Sequence, residues 1–343
     1  MKNQPFYLII LLLMSFTGFA QSPDSANFFF NRGLQEKAEK KFMMAYSDMK
    51  KAQPVKGNDI QYLTQVALVE MELRKYDLAL INFQKVDSLK KDDPVALENL
   101  VSLNFFSHKW ENAIKYGKRC QELKIGTRMN YLIGKSFYEL ENYGEAYKYF
   151  QLVMNEEPQN AEIPYLLARA FVDMSNYRTA ATFYEKAIAL DSTKPRWIYE
   201  MAMVISAIPN DKVAISYYEL AAAKGYKVDN DYIENLSIAC LGANQPDRAI
   251  NLMKQLLEKK PADLNLLYNL AEAYYHTNKF QDAIDTWDKI LYFDKENARS
   301  LYMIGMSYQK KGDKDKGVAL CDKAIAMDPS LRYLKTEKQG IGL

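Results

Sequence analysis

Histidine and cysteine are nearly missing from this chain, with two and three residues among 343. So few imidazoles and thiols leave little from which to build a zinc site, a histidine-based catalytic centre or a disulfide framework. Glycine (14) and proline (11) are also scarce, which excludes collagen-like and linker-rich architectures. Neither charge sign dominates: 45 basic residues face 43 acidic ones, leaving +2. A chain held to nucleic acid through phosphates needs a basic excess, so no nucleic-acid partner is expected. What the chain does have is apolar bulk, 48% of its residues, and 25 tyrosines. That is enough to build a large core, and it argues against disorder.

The N-terminus reads as an address. Residues 1–20, MKNQPFYLIILLLMSFTGFA, carry one basic residue, Lys2, then an apolar run opening at Phe6–Leu13, and end in Gly18-Phe19-Ala20. A basic start, an apolar middle and a small-residue end are the layout of a secretory signal, predicting a mature chain from Gln21. The apolar stretch spans about 15 residues, short of the roughly 20 that a membrane-crossing helix needs. No later stretch approaches that length, so no transmembrane segment is expected in the mature chain. The expected location is periplasmic or outer-membrane-associated. An uncleaved leader would instead anchor the chain at the inner membrane. Cys120, Cys240 and Cys321 are too far apart in an extended array to bridge and are expected as small core residues.

Self-similarity decides the fold class. From the motif Asp282-Ala283-Ile284, steps of 33 to 35 residues land on Ala45, Ala79, Ala113, Ala146, Ala180, Ala214, Ala249, Ala283 and Gly317. Twelve residues earlier in each unit stand Gly33, Ala67, Val101, Gly134, Ala168, Ala202, Ser237, Ala271 and Gly305. Each unit holds two windows with apolar residues at helical spacing, such as Leu267, Leu270, Ala271 and Tyr274, separated by a short polar break. This predicts an all-α chain of antiparallel helix pairs, whose small residues let paired axes approach closely. The prolines agree. Pro158, Pro261 and Pro329 follow second helices, while Pro94 and Pro195 open first helices.

These residues resemble the tetratricopeptide repeat family. The last unit shows its pattern in Leu301, Ile304, Gly305, Tyr308, Gly317, Cys321, Ala324 and Pro329, and the unit from 127 in Ile133, Gly134, Phe137, Tyr143, Ala146, Phe150 and Pro158. The resemblance covers nine units, beginning near 26, 60, 94, 127, 161, 195, 230, 264 and 298. It implies a right-handed superhelical solenoid over residues 21–330, folding as one body, with 331–343 as a short cap and tail. The first and third units fit least well. Arg32 precedes Gly33 where an apolar residue is usual, and Gly117 stands in place of an aromatic.

No phosphate loop, CxxC pair, HExxH or GxSxG occurs, and His108 and His276 are isolated. No catalytic residue, cofactor site or metal site is therefore assigned. The resemblance implies a groove lined by positions 2, 5, 9 and 12 of the first helices. Position 5 carries Tyr131, Tyr165, Tyr199, Tyr268 and Tyr302. A tyrosine offers a rigid contact with a polar tip, suited to an extended peptide. Arg128, Lys135, Arg169 and Arg196 flank the first three and are candidates for binding carboxylates or phosphates. Two alternatives stand beside these readings: the rings wall the groove by packing, and Glu139, Glu162 and Asp173 neutralise the cations internally. The set of Lys and Asn residues with which the family clamps chaperone tails is not met in any three consecutive units. The expected function is a non-enzymatic scaffold of the bacterial envelope that binds a protein or peptide partner through the groove. The competing readings are a structural subunit of an envelope assembly and a glycan-binding or enzyme-associated repeat protein.

Overall fold

Paired apolar stripes with small crossing residues do become helical hairpins in the computed structural model, which describes residues 22–334. The proposed leader at residues 1–20 and the tail beyond 334 lie outside the described residues. Those residues form eighteen α-helices and no strand, arranged as nine hairpins. The hairpins fall into two compact units that divide between Asn160 and Ala161.

The unit up to Asn160 contains α1 (Pro23–Ala38) and α2 (Phe42–Lys56), then α3 (Ile60–Glu72) and α4 (Tyr76–Leu89). Next come α5 (Pro94–Phe106) and α6 (Trp110–Glu122), then α7 (Met129–Glu139) and α8 (Tyr143–Glu156). The unit from Ala161 contains α9 (Glu162–Asp173) and α10 (Tyr177–Leu190), α11 (Pro195–Ala207) and α12 (Asp211–Ala223), and α13 (Asn230–Gly242) and α14 (Pro246–Lys259). It continues with α15 (Leu264–His276) and α16 (Phe280–Phe293), and ends with α17 (Ala298–Lys311) and α18 (Lys314–Met327). No described helix is long and apolar enough to cross a membrane.

Six first helices begin where the repeat spacing put them, at 60, 94, 195, 230, 264 and 298. Aspartates at 59, 93, 229 and 263 fix four of these starts, each accepting a backbone N–H from the first turn. Three starts differ. Helix α1 begins at Pro23 because Ser22 caps it, accepting from the Ser25 N–H. Helix α7 begins at Met129, not 127, because Lys124, Gly126 and Arg128 take left-handed backbone angles and consume the chain before it. Helix α9 begins at Glu162, one residue late. Within the hairpins a left-handed residue recurs at one register: Lys40, Arg74, His108, Glu141, Ser175, Asn244, Asn278 and Gly312. The next N–H reaches back to close the helix, as from Lys75 to the Glu70 carbonyl at 2.7 Å.

The small residues sit at the crossings. Ala45, Ala67, Ala79, Ala168, Ala180, Ala202, Ala214, Ala271 and Ala283 have no exposed surface. The last crossing pairs two glycines closely, since a Cβ added at Gly317 would stand 2.5 Å from the Gly305 carbonyl oxygen. The two weakest units by sequence are completed differently, the first from within its own hairpin and the third from the next. Arg32 of α1 holds Asp48 of α2 through a two-point hydrogen-bonded ion pair. The space left by Gly117 is taken by Ile133 of α7, whose Cγ1 would lie 2.8 Å from an added Cβ. Cys120, Cys240 and Cys321 are free and buried, as expected. Burial pushes the Cys120 thiol up to about 11, which keeps it from the reactive thiolate form. Leu331, in a short turn of 3₁₀ helix at Pro329–Leu331, packs with Leu334 against the last hairpin, while Tyr333 is exposed.

Candidate functional site

Because first helices lie one repeat apart, position 5 recurs at the same register of successive first helices within each unit. The unit up to Asn160 holds Tyr131, Arg128 and Lys135. Arg128 is not on a helix but in the left-handed residue before α7. From there its guanidinium stacks over the Tyr131 ring at 4.6 Å and stands 3.7 Å from Glu157. Lys135 pairs with Glu139 at 2.9 Å and lies over the Tyr138 ring. Both cations therefore have an acidic neighbour, Glu157 for Arg128 and Glu139 for Lys135.

The unit from Ala161 brings Tyr165, Arg169, Arg196 and Tyr199 into one neighbourhood. Tyr165 of α9 stacks flat on Trp197 of α11, ring centres 4.6 Å apart at 16°. Both rings remain partly exposed. Glu200 gathers the polar groups around them. It accepts from Arg196 Nε at 2.8 Å and from Tyr184 Oη at 3.0 Å, with Tyr165 Oη at 3.5 Å. Burial first, then the Glu200 charge, raises the Tyr165 phenol above its ordinary value. The same carboxylate raises Arg196. Both tyrosines therefore stay neutral hydrogen-bonding groups at physiological pH. Arg169 is exposed beside this network and lines an open pocket of about 200 Å³ with Asp173, Tyr184, Glu200 and Met203.

Met203 also lines the next pocket, of about 380 Å³, walled by Tyr199 and Tyr226. Tyr199 itself is only 7% exposed. It stacks on Tyr226 at 4.2 Å and accepts a 2.7 Å hydrogen bond from Asn235. A third pocket, about 510 Å³, is lined by Tyr268, Asn269, Glu272, His276 and Arg299 among others. Tyr268 donates to Glu272 at 2.7 Å, and burial with that contact pushes its phenol up to about 12. The Arg299 guanidinium covers its ring at 5.1 Å. Tyr302 is different. At 3% exposure it belongs to the terminal core with Ala324, Ile325 and Leu331, so it packs rather than lines a groove.

Periodicity did not point to Trp197, Glu200 or Tyr226. Trp197 and Glu200 fall at positions 3 and 6 of their helix, outside the expected groove positions, and Tyr226 lies in the loop before α13, where no repeat signal runs. An Arg196–Glu200 spacing of four was the one available hint. Among the described residues no group of His, Cys, Asp or Glu is placed to hold a metal ion.

Models of the tetratricopeptide repeat match residues 241–304 and 298–331, and the model of anaphase-promoting complex, cyclosome, subunit 3 matches residues 107–187. No curated protein sequence matches. Several solved structures resemble the chain. YrrB, described as a tetratricopeptide-repeat protein with an unusual peptide-binding site, is 21% identical; the match covers 55% of this chain and 97% of YrrB, with a TM-score of 0.46. MamA from Desulfovibrio magneticus RS-1, from its residue 41 to its end, is 15% identical over 50% of this chain and 96% of its own, with a TM-score of 0.44. The C-terminal part of a repeat protein from Cytophaga hutchinsonii is 18% identical over 81% of this chain and 98% of its own, with a TM-score of 0.45. Residues 241–331 therefore match models of the tetratricopeptide repeat.

Proposed function

We propose that the chain is a non-enzymatic scaffold that binds a protein partner, through an extended peptide laid along the first helices of residues 161–334. The observation that carries this reading is the row of three open pockets in that unit. The pockets at Tyr199 and Tyr268 are walled by position-5 tyrosines, and Met203 lines both the Arg169 and the Tyr199 pocket. Rings fixed by stacking lose little entropy on binding, and carboxylates, guanidiniums and amides beside them supply direction. The reading extends to an exported protein of the bacterial envelope, on the strength of Lys2, the Phe6–Leu13 run and Ala20.

Cross-linked pull-down from native envelopes identifies the partner, and its affinity is then compared for wild type and for Tyr165→Ala and Arg169→Ala, each verified as folded. Weaker binding by the tyrosine variant, and altered salt dependence in the arginine variant, support the groove. Unchanged binding in both moves the contact to the ends or outer faces of the array, as in a structural subunit of an envelope assembly. N-terminal sequencing of the native protein checks export, with Gln21 expected as the first residue.

A further inference from the structure

The pocket between Tyr199 and Glu234 differs from its neighbours in charge. Its polar lining is Asp229, Asp231, Glu234 and Asn235, and no basic residue lines it. Two carboxylates elsewhere in the row have a cationic or ionisable partner: Arg196 for Glu200, and His276 at 3.3 Å for Glu272. No ion pair among the described residues engages Asp229, Asp231 or Glu234. Arg196, within electrostatic reach of Tyr226, is tied to Glu200. The three acids also do different work. Asp229 caps α13 by accepting the Tyr232 N–H at 3.1 Å, whereas Asp231 is exposed and Glu234 half-buried with no such duty. One wall is the Tyr199–Tyr226 stack, nearly parallel at 12°, and it is held in place by Asn235 and by edge contact with Tyr218.

We propose that this pocket receives a cationic side chain, arginine or lysine, of the bound peptide. The inference rests on the peptide-binding reading above and names the partner's chemistry at one point along it. A guanidinium or ammonium meets both halves of the pocket. Its charge is drawn to the tyrosine faces and to the free carboxylates of Asp231 and Glu234. A carboxylate or phosphate is repelled by three like charges, and an aliphatic side chain leaves those charges uncompensated. The pocket therefore selects by charge sign.

The test is selection of a displayed library of random decapeptides on the full chain at physiological salt. The same selection is run on the Asp231→Asn/Glu234→Gln double variant, with Asp229 left intact because it caps a helix. Thermal melting checks that the double variant is folded. The expected result is enrichment of Arg and Lys at one position of the wild-type-selected peptides by roughly fivefold over the unselected library, falling to none with the double variant. Two results overturn the proposal while leaving the peptide reading in place: peptides retained without basic enrichment, and an enrichment that survives the double substitution. A library from which nothing is retained overturns both.

Discussion

Tyr165 of α9 lies flat against Trp197 of α11, 4.6 Å between ring centres, and joins two successive repeats through residues 32 positions apart. The pair presents a fixed aromatic surface next to the Glu200 network. Removing the Tyr165 ring by substitution with alanine is expected to weaken partner binding by about 2 kcal/mol, in the range of central aromatic anchors. Because the stack also joins two helices, a double-mutant cycle with Trp197→Ala should show a coupling in stability of roughly 0.5–1.5 kcal/mol, read from denaturant unfolding. A coupling near zero would show that the stack does not fasten the repeats.

Ala214 is fully buried at the crossing of α12 with α11. Ala214→Trp must displace the facing helix and is expected to cost about 1–3 kcal/mol or more. An unchanged thermal midpoint would contradict the placement of this crossing.

Two helical glycines give opposite expectations for the same substitution. A methyl group at Gly317 would meet the Gly305 carbonyl oxygen at 2.5 Å, whereas at Gly144 nothing lies within 4 Å. Gly317→Ala should destabilise by roughly 1–3 kcal/mol, because backbone cannot yield as a side chain does. Gly144→Ala, on the exposed first turn of α8, should be neutral or stabilising by up to about 1 kcal/mol through helix propensity. Paired urea titrations decide both.

Asp48 is buried against Arg32, whose guanidinium hydrogen-bonds it and holds its carboxyl down from 3.8 to about 2, with Lys51 assisting. A carboxyl held lower in the folded chain than in the unfolded one stabilises above the unfolded value. That stability is lost as pH falls through the folded value. Thermal midpoints should therefore drop between about pH 4 and pH 2 more steeply in wild type than in Asp48→Asn. Equal slopes would show that the pair is not coupled to folding.

The helix pairs were legible because helical hydrogen bonding is local. Stripes such as Leu267, Leu270, Ala271 and Tyr274 recur wherever an apolar face must be buried, and six first helices start at the residues that spacing indicated. Small residues at a 34-residue recurrence marked the crossings for the same reason, since close approach of two axes leaves room for little more than a methyl group. The candidate site was less legible. Lys135 and Arg196 each have a carboxylate four residues on, which local spacing shows, and both pairs form. Tyr302 sits in the tyrosine register yet is buried, because Leu331 and Leu334 from beyond the last repeat fold back with it into the terminal core.

The sequence by itself determined the hairpins, their order, their crossings and the burial of the three cysteines, because each follows from periodicity along one helix or between two joined by a short turn. Only the tertiary structure decided which side chains meet across distant positions: Ile133 filling the space over Gly117, Trp197 under Tyr165, and loop residue Tyr226 on Tyr199. Those meetings depend on shifts of an ångström or two between packed helices, and a repeat period of 34 residues carries no information at that scale.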